Sequence, residues 1–256
     1  MSMTSVSRRR YGSLDVMIHP GPDSLAAAAA AQVAAAIQAD VSARGRSAIV
    51  LATGTSQLAF LDQLCRTDLD WSRISVLHLD EYVGIDEGNP ASFRHYLRTH
   101  VVERVRPAAF HGLRGDAPDL AAECARYRAL LAELAPAVCA CGIGENGHLA
   151  FNDPPADLLT TAIVHEVLLD DACRMQQAGE GWFADVASVP ARALSLTVPA
   201  ILAMPVLVVV VPARRKAAAV AAALEGPITA DCPASALRRA AHAVLHLEPA
   251  SASHLR

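Results

Sequence analysis

Four short segments carry residue types that could do chemistry, and each follows an apolar run with strand character. The first is Leu51-Ala52-Thr53-Gly54-Thr55-Ser56. Glycine lets the backbone approach an anion closely, and hydroxyls together with the N–H groups of a helix start can hold a phosphate. The spacing is neither GxxxxGK[ST] nor GxGxxG, and an ordinary strand-to-helix turn with a hydroxyl cap uses the same residues. The second segment, Leu77-His78-Leu79-Asp80-Glu81-Tyr82, ends a buried strand on two adjacent acids. Neighbours on a strand point to opposite faces, so one acid can enter a crevice while the other pairs elsewhere. A carboxylate there can act as a base; a helix cap or a surface acid pair would place two acids there as well.

The third segment is Gly142-Ile143-Gly144-Glu145-Asn146-Gly147-His148-Leu149-Ala150-Phe151-Asn152-Asp153-Pro154. Its glycines read as a tight loop after a strand. Histidine titrates near neutral pH, and a nearby carboxylate can fix its tautomer and raise its pKa. The fourth, Val211-Pro212-Ala213-Arg214-Arg215-Lys216, opens a helix with three cations. Cations in a first turn oppose the helix dipole and are better tolerated when an anion binds among them; a solvated charged face is the plainer alternative. Lys216 is the one lysine among the 22 lysines and arginines of the chain.

The elements needed to position these segments can be read from the apolar pattern. Strands are predicted over 47–52, 74–79, 137–143, 163–168, 194–198, 206–211 and 243–247. A long Ala-rich helix is predicted from a cap at Ser24 or Asp23 to about residue 43, and further helices over 57–65, 91–101, 120–134 and 214–224. Such alternation makes a mostly parallel sheet with helices on both faces. Ligands then sit beyond the carboxyl ends of the strands, which is where the four segments fall.

With 256 residues, 53% hydrophobic and 19% charged, the chain can bury a sizeable core and is not disordered. No linker or repeat divides it, so a single domain over 1–256 is expected, with 1–12 flexible. A net charge of −4 and the lack of a basic face argue against nucleic acid. The longest apolar run, 200–211, is shorter than the roughly 20 residues that cross a bilayer, and no apolar segment follows Arg8-Arg9-Arg10, so no membrane partner or secretory signal is expected. Six cysteines without a CxxC read as small core residues in a reducing cytoplasm, with Cys139 and Cys141 on one strand face. His165, His242 and His246 lack a catalytic setting and read as structural or surface residues.

Together the segments resemble the glucosamine-6-phosphate deaminase/isomerase family, whose superfamily includes the 6-phosphogluconolactonases. Leu79-Asp80-Glu81-Tyr82-Val83-Gly84 and residues 142–154 are the most specific pieces, and the later Phe151-Asn152-Asp153-Pro154 places the chain on the deaminase side. The resemblance implies a Rossmann-like three-layer α/β/α sandwich that converts an amino-sugar phosphate to a ketose phosphate and ammonia. It implies Asp80 as the base that moves a proton between C2 and C1, His148 as the group that opens the ring, and Asp153 and Asn146 as the residues that orient it. It implies Thr53, Gly54, Thr55, Ser56 and Lys216 around the phosphate, with Glu81, Gly144, Gly147 and Arg174 as further substrate contacts. A base and an acid/base for the ring oxygen suffice for this chemistry, so no metal or redox cofactor is expected. A small sugar phosphate is the expected partner; family members are monomers, trimers or hexamers, so a homo-oligomer stays open. Alternatives of the same fold are a lactonase, a deaminase of another amino sugar, or a non-catalytic sensor.

The chain departs from the family at three places. Asp153 stands where glutamate is usual. Around 174–183 the family's two-arginine pattern is altered; Arg174 matches the first arginine and the second has no counterpart, so Gln176, Gln177 or Glu180 could read a different group. Some members have an N-acetylglucosamine 6-phosphate activator site built from basic and serine residues soon after the third segment, where this chain has Ala156-Asp157-Leu158-Leu159-Thr160-Thr161. Steady-state rates are therefore expected to be unchanged by that effector, and clear stimulation would refute the expectation.

Overall fold

The computed structural model describes residues 5–179 and 181–256. The chain enters through a hairpin in which β1 (Ser7–Tyr11) pairs antiparallel with β2 (Leu14–Ile18). Residues 7–11, inside the segment expected to be flexible, form this first strand. β2 turns Leu14, Val16 and Ile18 into the core and pairs with β1 along one edge. α1 (Pro22–Arg44) is capped by Gly21, two residues before Asp23 and three before Ser24, since Pro22 suits the first turn. Ser24 serves that start from inside: its Oγ accepts from the Gly21 N–H at 3.1 Å and donates to the Gly21 carbonyl at 2.8 Å.

β3 (Ser47–Leu51) leads through a 3₁₀ turn, Thr55–Gln57, into α2 (Leu58–Cys65). β4 (Ile74–His78) follows, and the predicted strand 74–79 breaks at Leu79, after which β5 (Asp80–Tyr82) joins a different sheet. The predicted helix 91–101 is α3 (Phe93–Leu97), a π-helical turn over Arg98–Val102, and α4 (Glu103–Val105). Then come β6 (Ala109–His111), α5 (Leu120–Leu134), β7 (Val138–Cys141), β8 (Val164–Leu168) and α6 (Asp171–Gly179). β9 (Arg192–Leu196) ends earlier than predicted because Thr197 caps α7 (Val198–Leu202), its hydroxyl accepting from the Ala200 N–H. β10 (Val206–Val210), a 3₁₀ turn over Arg214–Lys216, α8 (Ala217–Glu225) and β11 (Ala243–Leu247) complete the chain.

The main sheet has eight strands in the order β1-β2-β11-β10-β7-β3-β4-β6, parallel except for β1. Its central strands are apolar on both faces, as a covered parallel sheet requires. Period two divides them: Ile49, Leu51, Val138, Ala140, Val208 and Val210 pack with α1 and α2, and Ala48, Val50, Cys139, Cys141, Leu207 and Val209 pack on the opposite side with residues of α5, α7 and α8. Cys139 and Cys141 share a face as predicted, both fully buried; Cys65 and Cys124 are only partly so. The fold is the expected α/β three-layer arrangement. A second, antiparallel sheet of β5, β9 and β8 lies on the second core and carries the Asp80 strand. α1 is long and apolar enough to cross a membrane, but Leu25, Ala29, Val33 and Ile37 are buried in the first core.

The histidines without a motif prove structural. His165 bonds Asn152 and His242 meets the Leu202 carbonyl. His19 Nε2 and His246 Nδ1 lie 2.9 Å apart, and His246 Nε2 is 2.7 Å from Gln32 Oε1. Burial, then the charge of His19, pushes His246 down to about 4 from 6.5. Between those values the unfolded chain binds the proton and the folded one does not, so stability falls as pH drops from about 6.5 toward about 4. Thermal melts between pH 7.5 and 4.5 should show this decline, with a shallower slope in His246→Gln; a flat wild-type profile would contradict it.

Candidate active site

From β3 the sheet grows one way through β4 and β6 and the other way through β7, β10 and β11. Chains leaving the carboxyl ends of β3 and β7 therefore part, and a crevice opens between them. A cavity occupies it, lined by residues that follow β3, β4, β7 and β10 and by Phe93, Phe151 and Gln177.

The turn after β3 brings Thr53, Gly54 and Ser56 to the cavity wall. Gly54 sits at φ 101, a conformation suited to glycine, and its carbonyl accepts from Tyr96 Oη at 2.8 Å. The 3₁₀ turn Thr55–Gln57 follows, and the Gln57 N–H donates back to the Gly54 carbonyl at 3.0 Å. Thr55 is not among the wall residues; its Oγ1 accepts from Arg215 Nη2 at 3.0 Å.

The adjacent acids divide as strand geometry requires. Asp80 faces the cavity. Glu81, expected as a substrate contact, faces away and is fully buried. Its carboxylate accepts from Ser92 Oγ at 2.7 Å, the N–H groups of Phe93 and Arg94 at 3.0 Å, and Arg94 Nε at 3.2 Å. Burial pushes the Asp80 carboxyl well above its ordinary range, and the charges of Glu81 and Asp153 add to the effect.

In the third segment the His148 ring lines the cavity with Asp153 and Asn146 behind it. Asp153 Oδ1 lies 3.0 Å from His148 Nδ1 and accepts from Asn146 Nδ2 at 2.9 Å; the His148 N–H donates to Asn146 Oδ1 at 3.1 Å. Burial works against the Asp153 carboxylate, yet His148, Asn146 and Cys173 outweigh it and hold the pKa below its usual value. Gly144 lies directly under the imidazole: a Cβ there would come within 2.2 Å of Cε1 and Nε2. Gly147, expected at the substrate, is not in the wall; at φ 88 it makes the loop's turn, and its carbonyl accepts from the Ala234 N–H.

Lys216 is buried in the cavity wall. Arg174, expected to touch substrate, is instead committed to the carbonyls of Val186 and Val189, with Nη2 2.8 Å from the former. Gln177 does line the cavity, and its Oε1 accepts from Tyr82 Oη at 2.6 Å. Glu180 and the Gln176 side chain lie outside the described residues. Sequence reading did not single out Gln57, Phe93 or Phe151 as wall residues. Phe93 and Phe151 stack with centroids 5.6 Å apart and make the apolar side of the hollow. The only sequence signals for them were the Ser92 cap position and a place inside the third segment.

The tight seat predicts that Gly144→Ala displaces the His148 ring. Turnover should fall about 100-fold, as for a misplacement on the order of 1 Å, with little change in melting temperature. Near-normal turnover would contradict the stacking of the ring on residue 144.

Residues 20–246 match the family described as glucosamine-6-phosphate isomerases/6-phosphogluconolactonase. The chain is 33% identical over 214 residues to a glucosamine-6-phosphate deaminase of Lactobacillus delbrueckii subsp. bulgaricus, spanning 83% of this chain and 89% of the relative. It is 34% identical over 214 residues to that of Streptococcus agalactiae, spanning 82% and 89%. Among solved structures, a monomeric glucosamine-6-phosphate deaminase superposes with TM-score 0.85 at 30% identity, covering 93% of this chain and 99% of that one. A 6-phosphogluconolactonase from Shewanella baltica shares the fold, with TM-score 0.72 and 20% identity over 97% and 98% of the two chains. A match over this much of the sequence, joined to the Asp80 carboxyl, the His148 imidazole and the turn after β3 at one crevice, makes the chain a member of the glucosamine-6-phosphate isomerase/6-phosphogluconolactonase family.

Proposed function

We propose that the chain converts glucosamine 6-phosphate and water to fructose 6-phosphate and ammonia, acting in the cytoplasm as a deaminating aldose–ketose isomerase. The observation that carries this reading is that Asp80, His148, Thr53, Gly54, Ser56 and Lys216 line one cavity. The deaminase names of the relatives spanning most of the chain support it.

The chemistry follows from the groups. The turn and Lys216 hold the 6-phosphate, whose binding energy is remote from the reacting carbons. To open the pyranose, the ring oxygen gains a proton and the C1 hydroxyl loses one. His148, held by Asp153, passes that proton. In the open chain the aldehyde acidifies the C2 hydrogen. Asp80 takes it and returns it to C1, while one proton leaves the C2 ammonium and one reaches O1, carrying the 2-ammonio aldehyde through an enolamine to the 2-iminium. Water adds at C2 and ammonia departs, leaving the ketose. Asp80 must be ionised to accept the proton, against its burial. The substrate's ammonium at C2 is the adjacent cation that favours the carboxylate.

Asp80→Asn should abolish ammonia release while leaving hexose-phosphate binding largely intact, and the acidic limb of wild-type kcat/KM should lie above the ordinary carboxylate pKa of about 4. Near-normal activity of the variant would remove Asp80 from this role. Hydrolysis of 6-phosphogluconolactone without ammonia release from glucosamine 6-phosphate would instead mark the chain as a lactonase, and hexose-phosphate binding with no turnover would mark it as a sensor.

A further inference from the structure

We propose that Arg215 is a second cation of the phosphate site, a strap at the cavity rim that turns its guanidinium from Glu145 onto the bound sugar phosphate. The inference rests on the sugar-phosphate reading and adds a residue to it. Arg215 Nη2 donates to Thr55 Oγ1 at 3.0 Å, and Nη1 lies 3.3 Å from Glu145 Oε1. One side chain therefore joins the anion turn to the loop that carries His148.

Its backbone is placed for this. Arg215 immediately precedes Lys216 in the 3₁₀ turn Arg214–Lys216, and Lys216 lines the cavity. The turn is entered through Ala213 at φ 77, a conformation unfavourable for a residue with a Cβ. The Ala213 N–H is fixed by Glu248 Oε1 at 2.9 Å. The β3 connection has the same form, with Gly54 at φ 101 before the 3₁₀ turn Thr55–Gln57. Two turns of one form thus meet through the Arg215–Thr55 contact, one carrying hydroxyls, the other cations.

Charge gives the strap its purpose. A phosphate dianion beside Lys216 alone keeps net negative charge. A planar guanidinium can neutralise it and bond two of its oxygens. The Arg215–Glu145 pair is 40% and 38% exposed, so water already weakens it. A dianion held in the turn competes for the guanidinium with twice the charge of Glu145.

The test is ammonia release from glucosamine 6-phosphate, with inhibition by inorganic phosphate, in wild type, Arg215→Ala and Arg215→Lys. The alanine variant should raise KM and the phosphate inhibition constant about tenfold with kcat within about twofold, and lysine should recover part of the loss. A lowered melting temperature with unchanged KM and unchanged phosphate inhibition would make Arg215 a structural tie and overturn the inference. If wild type releases no ammonia, the functional reading fails on its own; calorimetric titration of wild type and Arg215→Ala with inorganic phosphate still decides Arg215, equal affinities overturning it.

Discussion

The parting of β3 and β7 is the constraint on which the rest of the molecule depends. Two parallel strands lie side by side through Ile49, Val50 and Leu51, paired with Val138, Cys139 and Ala140. Beyond them the backbone of one turns toward α2 and that of the other toward the His148 loop. Backbone groups that no longer pair with a neighbouring strand need other partners, and at a strand end those can be solvent or a ligand. The hollow that results is polar along its strand ends and apolar where Phe93 and Phe151 stack.

Burying two carboxyls in succession is costly unless each has a distinct solution. Glu81 is surrounded by donors from Ser92, Phe93 and Arg94, and Arg94 also pairs with Asp116 at 2.9 Å. That network also fixes the start of α3, and with it Phe93. Asp80 receives no comparable set, and its pKa is driven upward. One acid thus ties the scaffold together while its neighbour faces the cavity.

Close backbone approach does similar work in the His148 loop. The ring rests on Gly144, whose N–H also donates to the His148 carbonyl at 3.0 Å, so loop closure and ring position are one event. Asp153 is one methylene shorter than glutamate, yet it reaches Nδ1 directly at 3.0 Å. Asn146 holds both partners, clamping Asp153 with its amide and the His148 backbone with its carbonyl.

The apolar runs, the 120–134 helix, the order of strands and helices, and the four segments at strand ends are local features of the residues. Periodicity and turn chemistry act over a few residues, so they are legible in one chain. The short pieces were not legible. β6 has three residues and β5 continues the run of β4 without a break in composition, so only pairing with distant strands defines them. Tertiary structure alone decided that Glu81 and Arg174 look away from the cavity, that Gln57 and Gln177 enter its wall, and that Arg215 spans from Thr55 to Glu145. Each of these depends on which side chain from a remote segment fills a given space, and that is settled by packing in three dimensions rather than by spacing along the chain.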